Sequence, residues 1–566
     1  MESDNSAHYN AREAWGWRYR MTTLSSTLKG VASTLTRLPQ QAPRRGKTIR
    51  HRAARVAALS FLVLAVACAG KERDTLQDEF STQQANRLFS AGYHDISEVY
   101  IEEVGIDQLA LAAIRTLAEK DPAVSVEERQ GHLLVHLEND RTRYFALPRD
   151  RKDAPGWAQV TASVLELAQD RSPELQGRAP EDLYSIAFEG ILGELDYFSR
   201  YASAARAQDN RASRDGFGGI GVRIQVVDEG IEVLSVMEDG PAEAAGVQGG
   251  DIIVAIDGDS ARKMAQREVV RLLRGMIDSS VDLMITRADA AQPLRFAVKR
   301  AHIVPSTVNY SREGDAAYIR VSGFNQDTAK SLRSAMEKAQ DDIGGNLLGY
   351  VLDLRGNPGG LLDQAVAVAD IFVERGRIVS THGRHPDSHQ YFSAREGDAG
   401  EEQPVVALIN GSSASASEIV AAAIQDNGRG VVVGSSSYGK GTVQTVMRLP
   451  NRGELTLTWA RFHAPSGYAL SKRGVLPDLC TSAHYDDLGA VITGLRRGTL
   501  PTNRDLRGVD VDPLNVSAIN SFRAHCPGKR EETALDLEVA LELLNNHDLY
   551  RLAGGTTSPK IAEIAP

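Results

Sequence analysis

Between Val405 and Gln444 the chain reads VVALINGSSASASEIVAAAIQDNGRGVVVGSSSYGKGTVQ, and no other stretch restricts the fold as much. An apolar run from Val405 to Ile409 gives way to a Gly/Ser turn and a helical pattern from Ser415 to about Asn427. A second apolar run, Gly430 to Val433, leads into a second Gly/Ser loop that closes on Lys440. Short apolar runs bounded by turn residues and joined by a helix predict parallel strands in an α/β sheet. Loops at one end of such a sheet emerge side by side. The Ser415 hydroxyl and the Lys440 amine, 25 positions apart, are therefore expected to meet.

Taken alone, Ser415-Ala-Ser-Glu418 fits a helix capping box, in which serine and glutamate satisfy the open N–H groups of the first turn. Capping serines far outnumber nucleophiles, so a catalytic reading needs partners. A serine attacks a peptide only if a base removes its proton, and a helix start offers N–H groups to the oxyanion that forms. Lys440 is a base only when neutral, and burial among apolar strands lowers an amine's pKa. Its loop, SSSYGKGTVQ, holds no carboxylate. In an extended strand positions 440, 442 and 444 share a face, which lets the Gln444 amide orient the amine. His463, in ARFHAPSG, is the alternative base. Gly434 to Lys440 approaches the phosphate-loop pattern G-x-x-x-x-G-K-[ST], but Gly441 stands at the hydroxyl position and a strand pattern follows, so a nucleotide partner is not expected.

The rest of the chain divides by composition. Residues 1–55 carry 11 Lys/Arg against three acids, leaving 53 bases against 71 acids in the remainder, and an acidic body argues against nucleic acid. The 15 residues 56–70, VAALSFLVLAVACAG, make a helix of about 22 Å, short of the roughly 30 Å of bilayer hydrocarbon. A basic flank, an apolar core and small exit residues predict export. Leu-Ala-Val-Ala-Cys68 resembles a bacterial lipoprotein cleavage box, with Ala65 where Leu is usual, and implies lipidation at Cys68. Cleavage without lipid and an uncleaved anchor are the alternatives. Residues 71–86 read as a polar tether and 87–207 as a mostly helical region with a short hairpin. Residues 208–216 read as a charged linker. Three cysteines offer no disulfide scaffold and no metal cluster, and no cofactor is expected. Cys480 and Cys526 are either one disulfide of an exported protein or two separate buried thiols.

Residues 216–301 hold short alternating strands, FGGIGV, PAEAAG and GGD, and resemble a PDZ domain. That resemblance implies that Gly218-Gly219-Ile220-Gly221-Val222 offers N–H groups to the terminal carboxylate of a peptide that adds as a strand. From residue 302 strands and helices alternate again to about 482, and 483–566 is an extension with a terminal helix and a disordered tail. The series PDZ, DLRGNPGG, SASASEI, YGKGTVQ, APSGYALSKRGVLPD resembles the carboxyl-terminal processing (tail-specific) peptidases over about residues 180–480. The resemblance implies a multidomain α/β protein whose crotonase-like spiral core carries an inserted PDZ domain. It assigns the nucleophile to Ser415, the base to Lys440 and the orienting amide to Gln444. The oxyanion hole falls on the N–H groups of Ala416 and Gly360. Pro358 stands where many members carry another small or glycine residue, which leaves Gly359 as the alternative to Gly360. The implied protein is an exported, membrane-tethered serine endopeptidase on the periplasmic side of a bacterial envelope. Its substrates would have a free C-terminus, and it is compatible with an oligomer. A silent PDZ adaptor on the same scaffold is the competing expectation.

Overall fold

The computed structural model describes residues 80–137, 142–395, 399–400, 403–482, 487–500 and 502–554, all within the unit Asp78–Pro566. The readings of the arm 1–55, of 56–70 with Cys68, and of the tail after 554 lie outside the described residues. Among those described, no helix is long and apolar enough to cross a membrane.

Helices α1 (Thr82–Val99), α2 (Ile106–Glu119), α3 (Ala154–Arg171) and α4 (Pro180–Gly193) follow the three-and-four spacing of their apolar residues. The end of the expected tether is already helical from Thr82. These helices bury Leu88, Phe89, Ile114, Leu165 and Phe188 in one cluster. A sheet of β1 (Val124–Arg129), β2 (His132–Leu137) and β3 (Arg143–Ala146) adds to it, one strand more than the expected hairpin. β1 is VSVEER and mostly exposed, so it carries little apolar signal.

After β4 (Arg200–Ala202), α5 (Ala204–Asp215) fills most of the stretch read as a linker, a correction to the composition argument. It buries only Ala207 and Ala212. Arg211 and Arg214 anchor it by donating to the buried Glu454 carboxylate at 2.9 and 3.0 Å. A helix so polar depends on partners elsewhere in the chain.

A smaller antiparallel unit follows. β5 (Phe217–Gly219) pairs with a returning strand, while β6 (Val222–Val227), β7 (Gly230–Val236), β8 (Ile252–Ile256), helix α6 (Gln266–Leu273), β9 (Ser280–Thr286) and β10 (Leu294–Lys299) enclose Ile231, Val233 and Leu283. The sheet order is β10-β9-β8-β7-β6, so β6 is an edge. The strand that returns to β5 is β11 (Ala301–Ile303).

The chain then runs through β12 (Val308–Glu313), β13 (Ala316–Val321), α7 (Thr328–Ile343), β14 (Gly349–Asp353), α8 (Leu362–Phe372), β15 (Arg377–His382), β16 (Gln390–Ser393), β17 (Val405–Ile409), α9 (Ala416–Asp426), β18 (Val431–Gly434), β19 (Thr442–Arg448), β20 (Glu454–His463) and β21 (Leu479–Cys480). One sheet has the order β12-β13-β14-β17-β18-β21 and is parallel except at β12. Every residue of β14, β17 and β18 is buried. Val405, Ala407 and Ile409 pack with α8 and α9, whereas Val406 and Leu408 face the other way. A second sheet, β16-β15-β20-β19 with β4 on β20, draws Leu449, Leu455 and Leu457 into the N-terminal helical cluster.

Beyond β21 come α10 (Leu488–Arg497), α11 (Val516–Arg523), α12 (Ala534–Asn545) and α13 (His547–Ala553). The single terminal helix expected here is two, because Asn546 turns extended and its side chain caps α13 by accepting from Leu549 N–H at 3.2 Å. Val539, Ala540 and Leu543 of α12 cover Val406 and Leu408. The extension is thus one of the two layers on the core sheet. Replacing Glu454 with Gln keeps the shape but removes the charge that holds α5. We expect a loss of about 2 kcal/mol, read as a lower urea midpoint, and an unchanged midpoint would show that α5 does not need that carboxylate.

Candidate active site

The loops that follow β14, β17 and β18 leave the carboxyl ends of three adjacent parallel strands. The loop after β17 delivers Ser415 to the start of α9 with φ 59° and ψ −114°, a conformation that costs a non-glycine residue about 1–3 kcal/mol. Neighbouring hydroxyls hold the turn. Ser413 Oγ donates to Leu354 O and Ser417 Oγ to Asn357 O, both at 2.8 Å. Ser415 and Glu418 keep the arrangement of a capping box. Only one arm is a hydrogen bond of ordinary geometry, Ser415 N–H to the Glu418 carboxylate at 2.7 Å. Glu418 N–H donates to the Ser415 carbonyl at 2.9 Å and also faces the Ser415 side chain, the second arm of the box.

Glu418 is fully buried and ties this turn to the lysine loop. Its Oε2 accepts from Ser415 N–H at 2.7 Å and Lys440 N–H at 3.0 Å; its Oε1 accepts from Ser437 Oγ at 2.5 Å and Gly439 N–H at 2.7 Å. Burial pushes its carboxyl above the ordinary range and the four donors oppose that push. The main-chain nitrogens of Ser415 and Lys440 therefore share one oxygen atom. Lys440 Nζ makes no ion pair or hydrogen bond among the described residues and lies 5.2 Å from the centre of the Phe198 ring. Burial lowers its pKa to about 8, helped by the Arg200 charge and opposed by Glu418 and Asp196. No hydrogen bond joins Lys440 Nζ to Ser415 Oγ.

The glycine loop after β14 runs against the serine turn. Asn357 Oδ1 accepts from Gly359 N–H at 2.8 Å and Asn357 O accepts from Ala414 N–H at 3.0 Å. Gly359 has φ 102°, and a Cβ there would stand 2.8 Å from Ser415 Cβ, so the site excludes any side chain. Gly359 N–H is spent on Asn357, whereas Gly360 N–H and Ala416 N–H have no acceptor among the described residues.

Two of the expected residues make no hydrogen bond to Ser415 or Lys440. β19 begins at Thr442, so the strand face said to join 440, 442 and 444 does not reach the lysine. Gln444 Nε2 donates to the hydroxyls of Thr442 at 2.8 Å and Thr458 at 3.3 Å, not to or from Lys440, because its neighbours on the sheet satisfy it first. His463 sits at the end of β20 with its ring 4.8 Å from that of His382, and it has no hydrogen bond to Ser415. Burial and His382 lower its pKa. Cys480 and Cys526 form a disulfide with Cα atoms 5.6 Å apart.

In the smaller unit a groove of about 560 Å³ runs along β6, bordered by Gly219, Ile220, Gly221 and Val222 on one side and Val270 and Leu273 of α6 on the other. The carbonyls of Ile220 and Gly221 accept from Ala242 and Met237 N–H at 2.9 and 2.8 Å, while their own N–H groups have no acceptor among the described residues. Gly218 does not line the groove. A Cβ there would meet the Gly275 carbonyl oxygen at 2.0 Å, so it is glycine for packing.

Sequence reasoning passed over three residues around the amine. Glu418 was visible only as a cap, although an acid inside the apolar run EIVAAAI signals a buried partner. Phe198 and Arg200 stand in LDYFSRY, more than 200 positions before Lys440, and nothing local links them to it.

Residues 315–481 match peptidase family S41 and residues 232–287 match the PDZ domain. A carboxy-terminal-processing protease of Bartonella bacilliformis is 42% identical over 304 residues, 53% of this chain and 70% of that protein. A probable CtpA-like serine protease of Staphylococcus aureus is 32% identical over 392 residues, 68% of this chain and 77% of its own length. Among solved structures, the photosystem II D1 C-terminal processing protease is similar at 23% identity and a TM-score of 0.35, over 74% of this chain and 98% of that one.

Glu418→Gln places an amide NH₂ against groups that already donate. We expect it to cost about 2–4 kcal/mol in thermal or urea unfolding and to loosen both loops. Unfolding indistinguishable from the parent would show that the carboxylate is dispensable.

Proposed function

The chain belongs to peptidase family S41 and is a serine protease of the carboxy-terminal-processing kind, and we propose that Ser415 is its nucleophile and Lys440, in the neutral form, its base. The observation that carries this is the shared Glu418 oxygen, which holds the backbone of both residues, while the Lys440 amine makes no ion pair or hydrogen bond among the described residues. Neutral Lys440 takes the Ser415 proton as Oγ attacks the scissile carbonyl. The N–H groups of Ala416, at the positive end of α9, and Gly360 receive the oxyanion. Protonated Lys440 then gives its proton to the leaving amine, and the same amine activates the water that releases the acyl group. The Gln444 carbonyl oxygen accepts no side-chain hydrogen bond among the described residues and would orient the amine once substrate fills the site.

The edge strand β6 and the N–H groups of Ile220 and Gly221 support capture of a protein's C-terminal end by strand addition, with the chain then passed to Ser415. The division that best fits the elements is a helical region at 87–207, a PDZ domain at 216–301, a core at 302–482 of the crotonase-like spiral kind, and the extension. The parallel β13-β14-β17-β18-β21 sheet flanked by helices supports that core type. Export to an oxidising compartment such as the periplasm is supported by the Cys480–Cys526 disulfide and by the basic and apolar segments before residue 71. Tethering through Cys68 or through the uncleaved segment completes this reading.

Ser415→Ala and Lys440→Ala are each expected to lower cleavage of an unfolded protein substrate by at least about 10³-fold with folding retained. Because only the neutral amine works and its pKa lies near 8, kcat/KM should rise about tenfold per pH unit from below and level off above about pH 8. Removing the Arg200 charge by Arg200→Gln should move that limb upward. An acid limb near the ordinary histidine range that survives Lys440→Ala would transfer the base role to His463.

A further inference from the structure

The match to peptidase family S41 stops at residue 481, yet the site depends on chain beyond it. The segment from Arg523 to Arg530 lies across the loops that carry Ser415 and Lys440. On the serine side, Gly411 N–H donates to Lys529 O at 2.6 Å and Asn410 Nδ2 to Arg530 O at 2.9 Å. On the lysine side, Ser436 Oγ donates to Cys526 O at 2.5 Å and Lys529 N–H to Ser435 Oγ at 3.0 Å. The Cys480–Cys526 disulfide fastens the segment to the end of β21, beside Gly434.

At its start is Arg523. The guanidinium donates to Ser437 O at 2.8 Å and Arg473 O at 3.0 Å, with a longer contact to Lys472 O at 3.4 Å. Each carbonyl belongs to a strand of chain that fixes the lysine. Ser437 Oγ donates to Glu418 and accepts from Val475 N–H at 2.7 Å, and Lys472 N–H donates to Gly439 O at 2.8 Å. There is no slack between them, since a Cβ at Gly439 would come within 2.9 Å of the Lys472 backbone. The Glu418 charge also reaches Arg523, which thus shares with Lys440 the field of that carboxylate.

We propose that Arg523, fastened by the Cys480–Cys526 disulfide, is a positioning residue for Lys440: it gathers the 437 and 472–473 carbonyls so that the amine stays buried beside Ser415. The inference rests on the Ser415–Lys440 reading. A fork of five donors on a planar group serves several carbonyls at once, which a lysine ammonium on a flexible stem does not do at this geometry. Loosening the loop admits water to the amine, raises its pKa and leaves less neutral base at a given pH.

The test uses the mature protein with a peptide substrate, following kcat, KM and the acid limb of kcat/KM, with the folded fraction measured by circular dichroism. Arg523→Ala is expected to lower kcat at least tenfold, change KM less than twofold and shift the acid limb upward, with Arg523→Lys in between. A dithiol reductant attacks the disulfide by exchange, giving two protein thiols and the oxidised reductant. Reduced wild type should lose kcat in the same manner and regain it on reoxidation, while the Cys480→Ser/Cys526→Ser protein is low and indifferent to reductant. An unchanged kcat and acid limb in folded Arg523→Ala, or a loss that merely tracks the unfolded fraction, overturns the proposal. If Arg523→Ala does not fold, Arg523→Lys and reduced wild type decide by the same criteria. Ser415→Ala and Lys440→Ala run alongside: activity surviving in them sinks the dyad reading itself, whereas their inactivity with a wild-type Arg523→Ala sinks only this inference.

Discussion

One fully buried carboxylate organises the site. Glu418 receives four hydrogen bonds, two on each oxygen, and the donors come from the two loops that the core sheet brings together. A charge left bare in such surroundings would be prohibitive, so the four donors are obligatory, and satisfying them fixes where Ser415, Ser437, Gly439 and Lys440 lie. The third position of α9 suits an anion because the helix amides point toward it. The same geometry spends the Glu418 oxygens on three main-chain N–H groups and the Ser437 hydroxyl, and not on an ion pair with the amine. Burial and the Arg200 charge then outweigh the pull of Glu418 and Asp196 on Lys440.

That arrangement presupposes the sheet. β14, β17 and β18 are buried on both faces, and their carboxyl ends present the glycine loop, the serine turn and the lysine loop in register. Ser415 is held in a strained backbone conformation by the hydroxyl and amide contacts that cross between these loops. Asn357 performs a related service, spending the Gly359 N–H, while that of Gly360 has no acceptor among the described residues. The chemistry proposed for the site uses the groups left over after the fold has satisfied its own needs.

The C-terminal extension changes the picture of the core as a self-contained unit. α12 covers the second face of the sheet, and Arg355, within DLRGNPGG, bridges Asp353 at 2.7 Å and Asp536 of α12 at 3.1 Å. Arg320 likewise pairs with Glu532 across the same boundary. Both pairs enlist residues on the far side of residue 481, so the buried charges of the sheet are partnered by the extension.

The Val405–Gln444 stretch was enough, in sequence, to fix parallel strands, a crossover helix and two polar loops at one end, because apolar periodicity and Gly/Ser punctuation are local signals. The smaller β unit was legible for the same reason. What local pattern does not encode is which distant residue satisfies a buried group. The helix at 204–215 depends on Glu454, Gln444 turns to Thr442 and Thr458, and the amine lies over Phe198. Whether the extension belongs to the core was likewise a tertiary matter, because burial of a charge is a property of the whole enclosure. Sequence determined the strands and the loops; packing decided which carboxylate, which ring and which guanidinium surround the lysine, since the carboxylate comes from another loop and the ring and guanidinium from more than 200 positions away, and these contacts exist only once the chain has closed around them.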